Sequence, residues 1–172
     1  MNLIALLFTA ALIPSQDTGA GAEPPRRGTK APSKEHQHQV EQNGDKAMGF
    51  SHEKTTHHFL LRANGGVIQV ETNSAEDKES REQIQSHLGH IATMFAAGDF
   101  NTPMLVHSVT PPGTSTMTKL KGEIKYTYEA SPRGGRVVIA TSSPEALAAV
   151  HEFLRFQIKD HSTGDPLTVG GK

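Results

Sequence analysis

Histidine and methionine side chains recur at helical spacing in the middle of the chain, and both residue types can bind metals. Residues 87–94 read His-Leu-Gly-His-Ile-Ala-Thr-Met. On a helix, His87, His90 and Met94 fall within an arc of about 60°, beside the apolar residues that would face a core. Imidazoles with a thioether suit copper, whereas imidazoles alone suit zinc or nickel. The segment therefore predicts a copper site on the exposed flank of a helix, and a solvated surface without a ligand is the alternative.

Further histidines and methionines lie nearby in the sequence. Met104 and His107 follow the predicted helix, and we expect them to complete the copper site. Weaker candidates are His57, His58 and His151. Haem, ligated by His57 or His58, and zinc are the alternatives to copper. His57 shares a strand face with apolar residues and His151 lies on the apolar side of its helix, so packing is the competing interpretation for both.

The composition excludes several classes of protein. The 172 residues include no cysteine, which excludes disulfides, thiolate metal sites, iron–sulfur clusters and thiol catalysis. The formal net charge of −1 gives no reason to expect nucleic acid as a partner. The sequence also lacks the G-x-S-x-G, Walker and H-E-x-x-H patterns. It therefore favours a binding role over an enzyme, and a hydrolase or transferase is the weakest hypothesis.

The first 22 residues are typical of a signal peptide. An apolar run over residues 3–13 ends at Pro14, and Ala20 and Ala22 form a small-residue cleavage site. The run is shorter than the roughly 20 residues that a membrane-spanning helix needs. We therefore expect an exported protein, periplasmic or secreted, with no membrane span after cleavage.

Residues 51–166 are predicted to form a single α+β domain. They lie between a flexible linker, residues 23–50, which lacks apolar periodicity, and a disordered tail, residues 167–172. Asn64-Gly65 and Gly134-Gly135 are typical of hairpin turns between strand-like runs. Ser74 and Ser143 are the predicted N-caps of the helices that follow.

The two strand–strand–helix segments, residues 55–100 and 123–166, look like copies of one another. Residues 65–76 align with 134–145 without a gap, at an offset of 69 and with five identities. Internal duplication explains the match, and convergence on common turn and cap chemistry is the alternative. Either way we expect two ββα units that form an antiparallel sheet of four or five strands with helices on one face. The fifth strand would be residues 104–109, and residues 116–121 are predicted to form a short helix.

Two aromatic residues of the second predicted helix suggest a different role. Phe153 and Phe156 project away from Leu154 and Ile158, so they could form an apolar surface for a homodimer or another protein. The alternative to metal binding is therefore a non-catalytic interaction module.

Several strings resemble those of a widespread group of small exported bacterial proteins. They are Met48-Gly-Phe50, Thr55-Thr-His-His-Phe59, Met94-Phe-Ala-Ala-Gly-Asp-Phe100, Pro103-Met-Leu-Val-His107, Phe153-Leu-Arg-Phe-Gln-Ile-Lys-Asp-His161 and Thr163-Gly-Asp-Pro166. The resemblance covers roughly residues 48–166. Because no activity is established for that group, the resemblance implies export and a single domain only.

Overall fold

Two β-hairpins form the centre of the fold in the computed structural model, which describes residues 33–170. The first hairpin contains β1 (Thr55–Arg62) and β2 (Gly65–Thr72), and the second contains β3 (Ile124–Ser131) and β4 (Gly134–Thr141). Together they make one antiparallel sheet of four strands in the order β1-β2-β4-β3. The α+β prediction is confirmed. The predicted signal peptide, residues 1–22, and residues 23–32 of the predicted linker lie outside the described residues.

The strand register repeats between the two hairpins. Every pair in β1–β2, beginning with Thr55 opposite Thr72, has an equivalent pair in β3–β4 that lies 69 residues further along the chain. At the centre of the sheet β2 pairs with β4 so that Ile68 lies opposite Val137, and these two residues are also 69 apart. The sheet therefore has an internal twofold axis at this central pair, with the same offset that the sequence shows.

Glycine is required where each hairpin enters the centre of the sheet. Gly65 and Gly134 have φ values of 149° and 157°, which residues with a side chain rarely adopt. A Cβ atom on Gly65 would overlap the carbonyl oxygen of Ile139, and one on Gly134 would overlap that of Val70. These two glycines let β2 and β4 lie side by side, which fixes the register of the whole sheet.

Two long helices pack on the sheet. α2 (Lys78–Ala96) contacts mainly β3 and β4, and α5 (Pro144–Asp160) contacts mainly β1 and β2. Their buried side chains, with those of the strands that face them, form the core. The largest members on the helices are Ile84, Leu88, Phe95, Phe153 and Leu154.

The N-caps of these helices follow the prediction in one case of two. Ser143 caps α5 by accepting a hydrogen bond from the Ala146 amide, as expected. α2 begins later than expected, because Asp77 is its N-cap and accepts from the Ser80 amide. The predicted cap Ser74 is wrong, since its hydroxyl is used in the preceding turn, where it donates to the Glu76 carboxylate.

Three shorter helices complete the fold: α1 (Lys34–Met48), α3 (Asn101–His107) and α4 (Thr114–Lys119). The predicted flexible linker is wrong where α1 forms. Ser33 caps α1 at its start, Gly49 ends it with φ 81°, and Val40 anchors it in the core. The predicted fifth strand is wrong because residues 101–107 are helical, whereas α4 confirms the short helix expected near residues 116–121.

The segment after α5 runs along the outer edge of β1. The Phe59 amide donates to the Asp165 carboxylate at 2.9 Å, and the Gly170 amide contacts the Leu61 carbonyl oxygen at 3.5 Å. Arg155 of α5 donates to the Leu167 carbonyl oxygen at 2.9 Å. The disordered tail predicted for residues 167–172 is therefore wrong as far as residue 170.

No helix within residues 33–170 is both long and apolar enough to cross a membrane.

Gly134→Ala tests the dependence of the sheet on glycine. We expect a loss of about 2–4 kcal/mol in the free energy of unfolding, because the new methyl group meets backbone and the φ value is unfavourable. Gly122→Ala is the control, since nothing lies within 4 Å of its added Cβ. Urea denaturation of both variants measures the difference, and equal stability would contradict the close approach of β2 and β4.

Candidate ligand site: an imidazole-lined cavity

A cavity of about 70 Å³ lies between the sheet, α2, α3 and α5, next to the end of α1. Its walls are mostly apolar, and four of its six polar lining residues are histidines, the others being Thr102 and Gln157. The histidines that line it are His57 of β1, His87 of α2, His107 at the end of α3 and His161 just after α5. The cavity is large enough to hold water or a small ligand.

The imidazoles are in ring contact with one another and with phenylalanines. His57 and His161 are parallel, with ring centroids 5.9 Å apart and an interplanar angle of 2°. His161 meets His107 edge to face at 4.8 Å. Phe50 lies edge to face against His87 at 5.7 Å. The cavity wall is therefore a continuous aromatic surface that carries ring nitrogens.

Both ring nitrogens of His107 are occupied by hydrogen bonds. His107 is 1% exposed, and its Nδ1 donates to Asp160 Oδ2 at 2.5 Å, because a carboxylate can only accept. The other carboxylate oxygen, Oδ1, lies 2.8 Å from His36 Nε2. Asp160 thus connects α5 to α3 and to α1. In this arrangement His107 has no free nitrogen to offer a metal.

The Gln157 amide has one end without a partner in either orientation. Its Oε1 lies 2.9 Å from His107 Nε2, which must then donate, and its buried Nε2 has no partner among the described residues. If the amide were turned over, its NH₂ would donate to a neutral His107, and the oxygen would be left unpaired instead. Gln157 is 4% exposed and lines the cavity. An unpaired polar group therefore borders the cavity either way.

His57 supplies a second unpaired polar group, and its imidazole is neutral. Its Nε2 is buried and has no hydrogen-bond partner in the described part of the chain. Burial, followed by the neighbouring His87, lowers the pKa of His57 to about 4. Burial and the neighbouring His90 lower the pKa of His87 to about 4, and burial lowers that of His161 well below its ordinary value. At neutral pH these rings therefore keep a lone pair that can bind a ligand.

The cavity adjoins two grooves on the protein surface. A groove of about 430 Å³ is lined by Met48, Glu82, Gln83, Ser86, His87 and His90. It shares Met48 and His87 with the cavity. A second groove, of about 230 Å³, shares Met48, His57 and His161 with the cavity. Met48, the last residue of α1, therefore lies where both grooves meet the interior.

The five predicted copper ligands do not form one cluster. His87 and His90 line the same groove, as the helical spacing predicts, but Met94 lines neither that groove nor the cavity. Met104 is 38% exposed on α3, and His107 is buried against Asp160. Within residues 33–170, no group of three or more His, Asp or Glu side chains is arranged to hold a metal ion. The ligands are dispersed because residues 101–107 form a helix that turns Met104 outwards and His107 inwards.

The weaker candidates divide between packing and the cavity. His58 Nδ1 lies 2.9 Å from the Asp165 carboxylate, and His151 Nε2 donates to the Arg62 carbonyl oxygen at 2.9 Å. These contacts give both residues structural roles. His57 alone of this group lines the cavity.

Sequence reasoning did not assign Met48, Gln157 or His161 to the site. Gln157 lies in the last turn of α5, and His161 follows directly after that helix. Both face the cavity, and no local pattern distinguishes them from core residues. A signal was available for Met48, because Ser33 and Gly49 are a typical helix cap and stop around it.

The predicted partner surface at Phe153 and Phe156 is wrong in its assignment of Phe153 to an exposed position. Phe153 is 1% exposed and packs edge to face against Phe95 at 5.8 Å. Phe156 is half-buried and packs against the His107 ring at 5.0 Å. The physical reason is that Phe153 faces the rings of Phe95 and Phe100, and the His107 ring of α3 covers part of Phe156.

Asp160→Asn tests the connection between the three helices. The amide keeps the shape but has a single acceptor oxygen and no charge, so either His107 or His36 loses its partner. We expect a loss of about 2–4 kcal/mol in the free energy of unfolding, measured by urea denaturation. Glu152→Gln, at an exposed carboxylate on the same helix, is the control and should change stability by less than about 0.5 kcal/mol. Two equally stable variants would show that the Asp160 network contributes nothing.

Comparisons with known proteins add no further assignment. No family model, no curated protein and no solved structure matches the chain. The interpretation of the cavity therefore depends on its own residues.

Proposed function

We propose that the protein binds copper(I), held by the His57 and His87 imidazoles and the Met48 thioether. The observation that carries the proposal is the buried, unpaired Nε2 of a neutral His57, in a cavity that His87 and Met48 also line. An unpaired buried nitrogen costs free energy unless something binds to it. A metal ion would take up this lone pair.

The chemistry of the cavity favours copper(I) over other metals. Neutral imidazole and thioether groups suit a soft, monovalent ion, and a thioether ligand selects copper(I). The lining residues include no Asp or Glu, which Ca²⁺ and Mg²⁺ would need. A structural zinc site has four ligands in a tetrahedron. Two imidazoles and one thioether at an apolar wall match copper(I) better.

The surface groove offers a path to this site. His90 and Glu82 line the groove that shares Met48 and His87 with the cavity. An ion that arrives from solvent would therefore meet His90 before it reaches the buried ligands. The flank of α2 predicted from the sequence would thus serve as the entrance, with Met48 in place of Met94 as the sulfur ligand. Export of the protein would expose this entrance to copper outside the cytoplasm.

The surroundings favour binding over catalysis. His107 and Asp160 form a histidine–carboxylate pair, the usual basis of acid–base chemistry. Both nitrogens of His107 are hydrogen-bonded and the ring is buried, so it cannot reach a substrate.

Competition with a chromophoric copper(I) chelator, under anaerobic conditions, tests the proposal on the purified chain. We expect one ion per chain and a loss of affinity of more than about tenfold for His57→Ala and for His87→Ala. His38→Ala is the control, because this exposed side chain of α1 lines neither the cavity nor its grooves and hydrogen bonds to Gln42 of the same helix. Far-UV circular dichroism checks that each variant is folded.

The pH dependence of binding distinguishes buried from ordinary imidazoles. Because the pKa values of His57 and His87 are about 4, protons should not compete with the ion between pH 7.5 and 5.5. Two imidazoles with the ordinary pKa of about 6.5 would lose affinity by about a hundredfold over that range. Unchanged affinity in His57→Ala, together with loss in His90→Ala, would contradict the buried site and place the ion on the flank of α2.

A further inference from the structure

The two outer strands of the sheet differ in what covers them. β1 and β3 are the edge strands. The outer edge of β1 is covered, because Phe59 donates to Asp165 and Leu61 accepts from Gly170. Within residues 33–170, no segment hydrogen bonds in this way to the outer edge of β3 between residues 124 and 130. An open edge of this length is a ready site for pairing with another strand.

The internal twofold axis identifies which backbone groups of β3 point outwards. At the offset of 69, Phe59 is equivalent to Tyr128 and Leu61 to Ala130. Because Phe59 and Leu61 present their backbone groups to the outer edge of β1, Tyr128 and Ala130 present theirs to the outer edge of β3. The alternation of a strand adds Tyr126 to this set. These N–H and C=O groups are the ones that a further strand would bind.

The sequence of β3 is complementary to itself. Residues 125–129 read Lys-Tyr-Thr-Tyr-Glu, so that Thr127 is the centre of a symmetric pattern. If two β3 strands lie antiparallel with Thr127 opposite Thr127, Tyr126 faces Tyr128 as a hydrogen-bonded pair. The same register places Lys125 opposite Glu129 at both ends, on the side of the sheet away from the helices. Both side chains are exposed.

We propose that β3 pairs with β3 of a second copy of the chain, so that the sheet continues as eight strands across a twofold axis. The partner strand belongs to a second copy because Lys125 of each copy would meet Glu129 of the other. A twofold-symmetric contact requires a surface that is complementary to itself in this way. Glu129 already contacts Arg136 of β4 at 2.6 Å. Each end of the interface would therefore hold one carboxylate between two cations.

The charges set the register of this dimer more than its strength. Backbone hydrogen bonds supply the affinity in strand addition, and side chains supply the choice of partner. A shift of either strand by two residues would place Lys125 and Glu129 opposite other residues and lose both ion pairs. The dimer is independent of the copper site, since no residue of β3 lines the cavity.

Charge reversal tests the interface with the full chain. Lys125→Glu and Glu129→Lys each place like charges opposite one another, so each should weaken association by at least about tenfold in analytical ultracentrifugation. The double variant restores opposite charges across the interface and should recover most of the association, although Glu129→Lys also replaces the ion pair with Arg136 by a repulsion. A mixture of the two single variants should form a heterodimer, because one chain then carries two anions at the edge and the other two cations. The control is Lys119→Glu, which changes the net charge by the same amount as Lys125→Glu but at an exposed residue of α4. It should leave association unchanged.

Several results would overturn the proposal. The unmodified chain could remain a monomer up to about 1 mM, a concentration at which even a weak interface associates. The single variants could associate as well as the unmodified chain. The mixture of single variants could fail to combine while both remain folded by circular dichroism. Each of these outcomes would show that β3 does not pair with itself.

Discussion

The Asp160 carboxylate holds the end of the molecule that forms the cavity. It accepts hydrogen bonds from His107 at the end of α3 and from His36 near the start of α1. α1 ends at Met48, and α5 also carries Gln157, so one carboxylate places the residues of three helices around the same cavity. Burial of a carboxylate is costly unless hydrogen bonds compensate for lost water, and here both of its oxygens have a partner. Nearer to Met48, α1 is also held by Asn43, which donates to the Val106 carbonyl oxygen, and by Asp45, which accepts from the His52 amide.

The fold repeats its strand–strand–helix unit but carries the candidate site only once. At the strand offset of 69, Tyr126 occupies the position of His57. The helices are matched by the glycines that they face: Leu88 of α2 lies over Gly135, and Leu154 of α5 lies over the equivalent Gly66. Equivalent helix positions are therefore 66 residues apart, and Phe153 corresponds to His87. The second unit thus folds with aromatic residues where the first has imidazoles. The architecture does not require the histidines, and this supports a functional reason for them.

Local sequence patterns were sufficient for the sheet and for both long helices, except for the start of α2. The hairpins and the start of α5 depend on turn and cap residues within a few positions of each other, and the structure has them as predicted. α1 was missed because it is polar along nearly its whole length and buries only Val40 and Gly44. Residues 104–109 were expected to form a strand from their apolar character, although Pro103 in the first turn favours a helix. The cavity itself could not be predicted, because its key contact joins His107 to Asp160 across 53 residues.

The state of the buried imidazoles is the physical basis of the copper proposal, and it can be observed without any metal. Nitrogen-15 NMR of the histidine rings reports the protonation of each imidazole directly as the pH is lowered from 7.5 to 5. We expect the signals of His57 and His87 to remain those of neutral rings throughout this range, because burial lowers both pKa values to about 4. Conversion of either ring to imidazolium near pH 6.5, the ordinary value, would show that water reaches the cavity and would contradict the account.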